Sequence, residues 1–231
     1  MTTRTKWLPL LLATASFALP AFAGDDFTPP EGCNAILTVQ SKACGSSLFW
    51  QCDISPEGDI WEASFGAEGL QSIVSYDRDY QWLDGTFMWD SSYEELAGES
   101  EDPISMDDLL AAGEDTFSFR VRRVEPSGVK YLQVVGSDRL TGKEIVIDGT
   151  RLLLTRTDYQ YLNEDGTVDY QMRGQQYVSP ERRMFFSGTN EVTENGNLTV
   201  YDYAPVEFIT PGEPGFGVTT PKYECQQPSK K

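Results

Sequence analysis

The chain has 231 residues, carries a formal net charge of −18 and contains no histidine. That acidity repels nucleic acid and anionic lipid headgroups, and the missing imidazole excludes Ser-His-Asp and Cys-His catalysis and His-ligated zinc. A composition that is 39% hydrophobic and 12% aromatic belongs to a folded domain rather than a disordered chain.

Residues 1–23 read as a cleaved secretory signal peptide. Arg4 and Lys6 supply the positive start, residues 7–19 form an uncharged apolar run, and Ala21-Phe22-Ala23 gives a small-x-small cleavage pattern before Gly24. No twin-arginine pair is present, and no cysteine stands at the cleavage point to accept a lipid. No later segment reaches the roughly 17 apolar residues that a transmembrane helix needs. The expected location is therefore periplasmic or extracellular, in a bacterium, after general secretory export. Residues 24–34 are a polar, proline-bearing lead-in, 35–210 a single antiparallel β domain, and 211–231 a Pro/Gly-rich tail.

Cys33, Cys44, Cys52 and Cys225 make an even count, which in an oxidising compartment means two disulfides with three possible pairings. If residues 48–54 are extended, at about 3.3 Å per residue, Cys44 lies too far along the chain from Cys52, because bridged Cα atoms stand about 5.5–6 Å apart. This favours Cys33–Cys52 with Cys44–Cys225. A turn at Gly45-Ser46-Ser47 would instead allow Cys44–Cys52 with Cys33–Cys225.

From residue 35 onward, short β-rich runs are punctuated by turn signals. These are Pro56-Glu57-Gly58, Asp84-Gly85, Pro126-Ser127-Gly128, Thr141-Gly142, Asp148-Gly149, Asp165-Gly166, Ser179-Pro180 and Asn195-Gly196. About four strands are expected in 35–90 and about seven in 116–209, with an acidic surface loop over 94–103. Turns this short leave no room for parallel crossovers. Ten or eleven sequential strands curl into a barrel or half-barrel, since large flat sheets are rare. One short helix is expected near 105–112: Ser105 caps it, Asp107 and Asp108 occupy its first turn, and Gly113 stops it. It can cover an open face or end of the sheet.

One hairpin can be registered. A two-residue loop at Asp165-Gly166 pairs Tyr161 with Tyr170, Tyr159 with Met172 and Thr157 with Gly174 on one face. On the other face Asp158 meets Arg173 and Gln160 meets Gln171. A one-residue slip would scramble both faces. In the following hairpin, the pattern leaves open whether Met184 and Phe186 or Phe185 point inward. The tail after Pro211 is too rich in Pro and Gly for a central strand and is expected to run along the surface to its disulfide.

Without histidine or a free thiol, and with no phosphate-loop, dinucleotide or calcium-loop fingerprint, no cofactor or metal is implied. Two catalytic routes remain. Asp77, Asp79, Asp84 and Asp90 lie among aromatic residues, as sugar-cleaving carboxylates do, or else are simply acids in turns. Ser41 and Lys42 are adjacent, so on a strand they point to opposite faces and cannot form a dyad. The aromatic supply fits an apolar ligand held on the inner face of a curled sheet, with Tyr159, Tyr161, Tyr170, Met172, Trp82 and Trp89 as candidate ligand-binding residues. The alternative is an ordinary filled core.

Charge divides unevenly along the chain. Residues 24–115 sum to −19, a solvated surface or a face for a cationic partner. Residues 116–190 sum to +2. There a subset of Arg120, Arg122, Arg123, Arg156, Arg173, Arg182 and Arg183 could hold an anionic head, or could face acids on neighbouring strands.

About eleven antiparallel strands in sequence, a helix inserted midway and a leader peptide together resemble the periplasmic lipoprotein-carrier half-barrels of the LolA/LolB type, over residues 60–210. The resemblance is one of element order, without a motif-level match, and transfers no functional residue. It implies a concave apolar groove for acyl chains. The leading expectation is a non-enzymatic envelope protein that binds a small apolar or amphipathic molecule or a partner protein. The alternatives are a carboxylate hydrolase of envelope glycans and an interaction module without a cavity.

Overall fold

The computed structural model describes residues 27–194 and 196–225; the expected signal peptide lies outside them. The elements in order are β1 (Cys33–Ser41), β2 (Gly45–Cys52), β3 (Ile60–Gly66), β4 (Gly69–Tyr76), β5 (Trp82–Phe87), β6 (Ser92–Leu96), α1 (Met106–Ala112) and β7 (Glu114–Glu125). They continue with β8 (Gly128–Ile147), β9 (Thr150–Leu162), β10 (Val168–Ser179), β11 (Met184–Glu194), β12 (Asn197–Asp202) and β13 (Pro205–Ile209). All thirteen strands form one antiparallel sheet, in which β1 to β12 follow each other as neighbours and β13 pairs with β1.

The sheet is curled but not closed into a barrel. Its two edges, β12 and β13, are consecutive in the chain, with Tyr203 and Ala204 between them. The Tyr203 N–H donates to the Gly188 carbonyl on β11 at 3.0 Å, and the Ala204 carbonyl accepts from the Lys42 N–H beyond β1, also at 3.0 Å. One short link therefore ties both arms of the sheet together and fixes the curl that strand twist begins.

The strands differ from the sequence expectation at three places. Asp84-Gly85 is not a turn but the middle of β5. A Cβ on Gly85 would sit 3.0 Å from the Phe87 ring, so the glycine makes room for aromatics, while Asp84 accepts from Ser75 Oγ at 2.7 Å. The first part of the expected acidic loop is β6, where Glu94 lies directly opposite Arg123 of β7. Thr141-Gly142 is likewise no corner: β8 runs through it as a bulge that shifts the register between Leu140 and Glu144.

The β9–β10 hairpin has the expected register from Tyr161–Tyr170 to Thr157–Gly174. Its loop differs. Asn163 N–H donates to Thr167 O, so three residues, Glu164-Asp165-Gly166, form the loop, and a bulge at Asp169 restores the count. Arg173 and Asp158 pair at 2.9 Å with half or more of each side chain exposed. Asp158→Ala should therefore cost under about 1 kcal/mol in urea denaturation.

Helix α1 ends as its sequence dictates. Ser105 Oγ accepts from the Asp108 N–H, and Gly113, at φ 83°, donates back to Leu109 O. Met106 and Leu109 are fully buried. They join Leu37, Phe49, Leu152, Val178, Met184 and Phe186, residues from both arms of the sheet, so the helix fills the space between the arms. Met184 and Phe186 are the buried large apolar residues of β11, while Phe185 is half-buried against Tyr80.

Over β1 to β3 the convex face is covered by Phe27 and by residues 217–222. Phe27 packs on Trp50 and Phe65 at 5.4 and 5.6 Å between ring centres. The C-terminal tail lies along β1: Gln40, fully buried, accepts from the Lys222 N–H and donates to the Val218 and Thr220 carbonyls, and Thr38 accepts from the Gly217 N–H. The disulfides are Cys33–Cys52, across the open end of the first hairpin, and Cys44–Cys225, which pins the tail. No helix among the described residues is long and apolar enough to cross a membrane.

Candidate functional site

The concave face encloses a cavity of about 810 Å3, within the roughly 300–1,000 Å3 of small-molecule sites. Strands β7 to β9 send in Phe117, Phe119, Val134, Tyr159 and Tyr161. Strands β2 to β4 send in Phe49, Phe65, Val74 and Tyr76, interspersed with the small residues Ser47, Ser64 and Ser72.

Of the six candidate residues, Trp82, Trp89, Tyr159 and Tyr161 line the cavity. Trp82 is buried, and Trp89, 63% exposed, stands at the rim against Phe87. Tyr170 and Met172 share the same face but lie outside the lining. Tyr170 stacks on Tyr159, and Met172 is buried directly opposite Tyr159. Burial holds the hydroxyls of Tyr76, Tyr80, Tyr159 and Tyr161 well above the usual tyrosine range, so they stay neutral.

Gly136 makes the aromatic wall possible. It lies opposite both Phe117 and Tyr159, and an added Cβ would come within 2.7 Å of the Phe117 ring and of the Asp158 carbonyl. Gly136→Ala should cost about 1–3 kcal/mol in thermal denaturation, because backbone and not only side chains must move.

Two carboxylates interrupt the apolar wall, apart from the exposed Glu68 at its edge. Glu62 accepts from Ser47 Oγ at 2.6 Å, Ser64 Oγ at 3.1 Å and Tyr76 Oη at 3.4 Å. Burial raises its pKa and these hydroxyls partly offset the rise. Asp138 accepts from Thr157 Oγ1, and burial pushes it up to about 6. Directly across the ladder from it, Asp115 is also pushed up to about 6 by burial while it accepts from the Ser105 N–H. Glu62 and its serines belong to no motif of the sequence. The only local signal is the alternation in β3, which puts Glu62 and Ser64 on one face.

No Lys or Arg lines the cavity among the described residues. Arg122 pairs with Glu95, Arg173 with Asp158, and Arg183 with Asp79 and Asp107. Arg120 lies 3.8 Å from Glu164. Arg123 sits in a separate charged recess, where it meets Glu94 at 3.0 Å, Asp90 at 2.5 Å and Glu125 at 2.7 Å. Glu94 is 2% exposed, and desolvation lifts it to about 7 in spite of Arg123.

The four acids considered for glycoside chemistry are engaged elsewhere. Asp77 caps the loop that follows β4 through the Asp79 and Gln81 N–H groups, and Asp79 pairs with Arg183. Asp84 is held by Ser75 and Asp90 by Arg123. Lys42 is tied to Asp202 at 3.0 Å, which raises its pKa, the wrong direction for a base that activates Ser41. No family model, curated protein or solved structure matches the chain.

Proposed function

We propose that this protein is a non-enzymatic binding protein of the bacterial envelope, periplasmic or extracellular, that holds one small apolar or amphipathic molecule inside its curled sheet. The observation that carries this reading is the cavity itself: about 810 Å3, its wall rich in neutral aromatic rings, with the buried acids of the inner face held in hydrogen bonds or ion pairs. An apolar body buried there gains about 0.8 kcal/mol per methylene. Two disulfides and the absence of a membrane-crossing helix among the described residues fit an oxidising compartment outside the cytoplasm. The proposal shares with the lipoprotein-carrier half-barrels the use of a concave sheet for an apolar chain.

The test is titration with the neutral dye N-phenyl-1-naphthylamine. The wild type should bind one dye with enhanced emission. Val134→Trp drives an indole into the cavity from a residue that is 2% exposed, and it should weaken binding at least about tenfold, a loss of about 1.4 kcal/mol. Equal binding by the two proteins, both folded by circular dichroism, would place the dye elsewhere and remove the support.

A further inference from the structure

Among the described residues, Glu62 is the carboxylate of the cavity wall to which three hydroxyls donate, and aromatic side chains stand beside it. Phe49 is its direct cross-strand partner on β2, and Tyr76 donates to it. Tyr80 stacks on Tyr76 with ring centres 4.3 Å apart and is itself fixed by a bond from its hydroxyl to the Phe185 carbonyl. Tyr80 holds φ 68°, a left-handed backbone that non-glycine residues adopt at a cost. Ser47 and Ser64 orient the carboxylate without neutralising it, and no Lys or Arg pairs with it among the described residues. Its exposure is to the cavity, where it is part of the lining. A negative group beside aromatic side chains in an apolar hollow is the chemistry that recognises an organic cation, since aromatic rings add to a carboxylate's attraction for one. The second carboxylate of the wall, Asp138, and the chain's charge of −18 act in the same direction and draw cations to the mouth.

We propose that the ligand of this cavity is a cationic amphiphile, whose amine or quaternary ammonium head docks at Glu62 among Phe49, Tyr76 and Tyr80 and whose apolar body lies toward Trp82 and Tyr161. This inference rests on the binding function proposed above and adds the ligand's charge. An anionic head meets carboxylates there and no base.

The experiment compares three probes of equal chain length, dodecyltrimethylammonium, dodecanol and dodecanoate, by dye displacement below their aggregation concentrations. Wild-type protein should bind the ammonium at least about tenfold more tightly than the alcohol, and dodecanoate most weakly. Glu62→Gln should bring ammonium and alcohol within about threefold of each other while alcohol binding persists. That control separates the cavity from general attraction to an acidic surface, because only one of 36 acids is changed. Ser64→Lys, which sets an internal ammonium beside the carboxylate, should abolish the same preference and serves where Glu62→Gln does not fold. Equal binding of the three probes, or a preference that survives both substitutions, overturns the cationic assignment alone. Failure of all three probes to bind overturns the binding function with it.

Discussion

Lowering the pH from 8 to 5 is expected to stabilise this protein by roughly 3–5 kcal/mol, the reverse of ordinary acid sensitivity. The cause is three carboxylates whose folded pKa values lie above their unfolded ones through burial: Glu94 at about 7, and Asp115 and Asp138 at about 6. A group raised in this way contributes stability that is complete below its unfolded pKa, near 4, and is lost as pH rises through the folded value. A tenfold change in proton affinity between the folded and unfolded chain is worth about 1.4 kcal/mol, and the window of loss is pH 5 to 8. Asp115 and Asp138 face each other, so their effects overlap. Groups with lowered values, such as Glu125 and Asp202, lose their contribution only as pH falls below about 4.5, and the optimum should lie near pH 5. Thermal melts across this range should show the transition temperature rising by about 6–20 °C toward pH 5, at about 2–4 °C per kcal/mol. Glu94→Gln should flatten the limb between pH 6 and 8. A transition temperature that is constant or falls toward pH 5 would contradict the assignment of these groups.

Removing the Cys44–Cys225 disulfide should have the other large effect. The bridge spans 181 residues, and the chain-entropy relation gives about 5 kcal/mol for a loop of that length. The tail keeps its bonds to Thr38 and Gln40 when the bridge is gone, but those bonds then hold a free end. Cys44→Ser/Cys225→Ser should lower the urea midpoint in proportion and open residues 210–225 to proteolysis before the sheet unfolds. The Cys33–Cys52 bridge closes only 19 residues, so its removal should cost about 3 kcal/mol by the same relation. An equal or larger loss on removing the short bridge would show that the tail contributes little.

Much of the fold was legible because its determinants are local. Ser105 and Gly113 bound α1 through their own backbone bonds. The β9–β10 register followed from opposing Tyr161 with Tyr170 and Asp158 with Arg173, and it survived a wrong loop length because the bulge at Asp169 compensates for the three-residue turn. The strand rise separated Cys44 from Cys52. What failed were glycines whose reason is tertiary. Gly85 sits mid-strand so that Phe87 can cross it, and Gly142 bends β8 instead of ending it. Glu94 looked like a loop acid because its partner, Arg123, is 29 residues away. The site was half legible for a related reason. Alternation placed Tyr159, Tyr161, Tyr170 and Met172 on one face, but which of them line the cavity depends on the residues of β2 to β4 across from them, on strands remote in sequence. Glu62 stood out in neither composition nor motif. Its interest comes from the rings around it.

Native mass spectrometry of the protein purified from its own host, without detergent or denaturant, tests the central claim most directly. One small molecule should remain bound per chain, leave on mild activation and partition into organic solvent. A homogeneous mass equal to the bare polypeptide, from protein that afterwards takes up no apolar dye, would contradict a ligand-holding cavity.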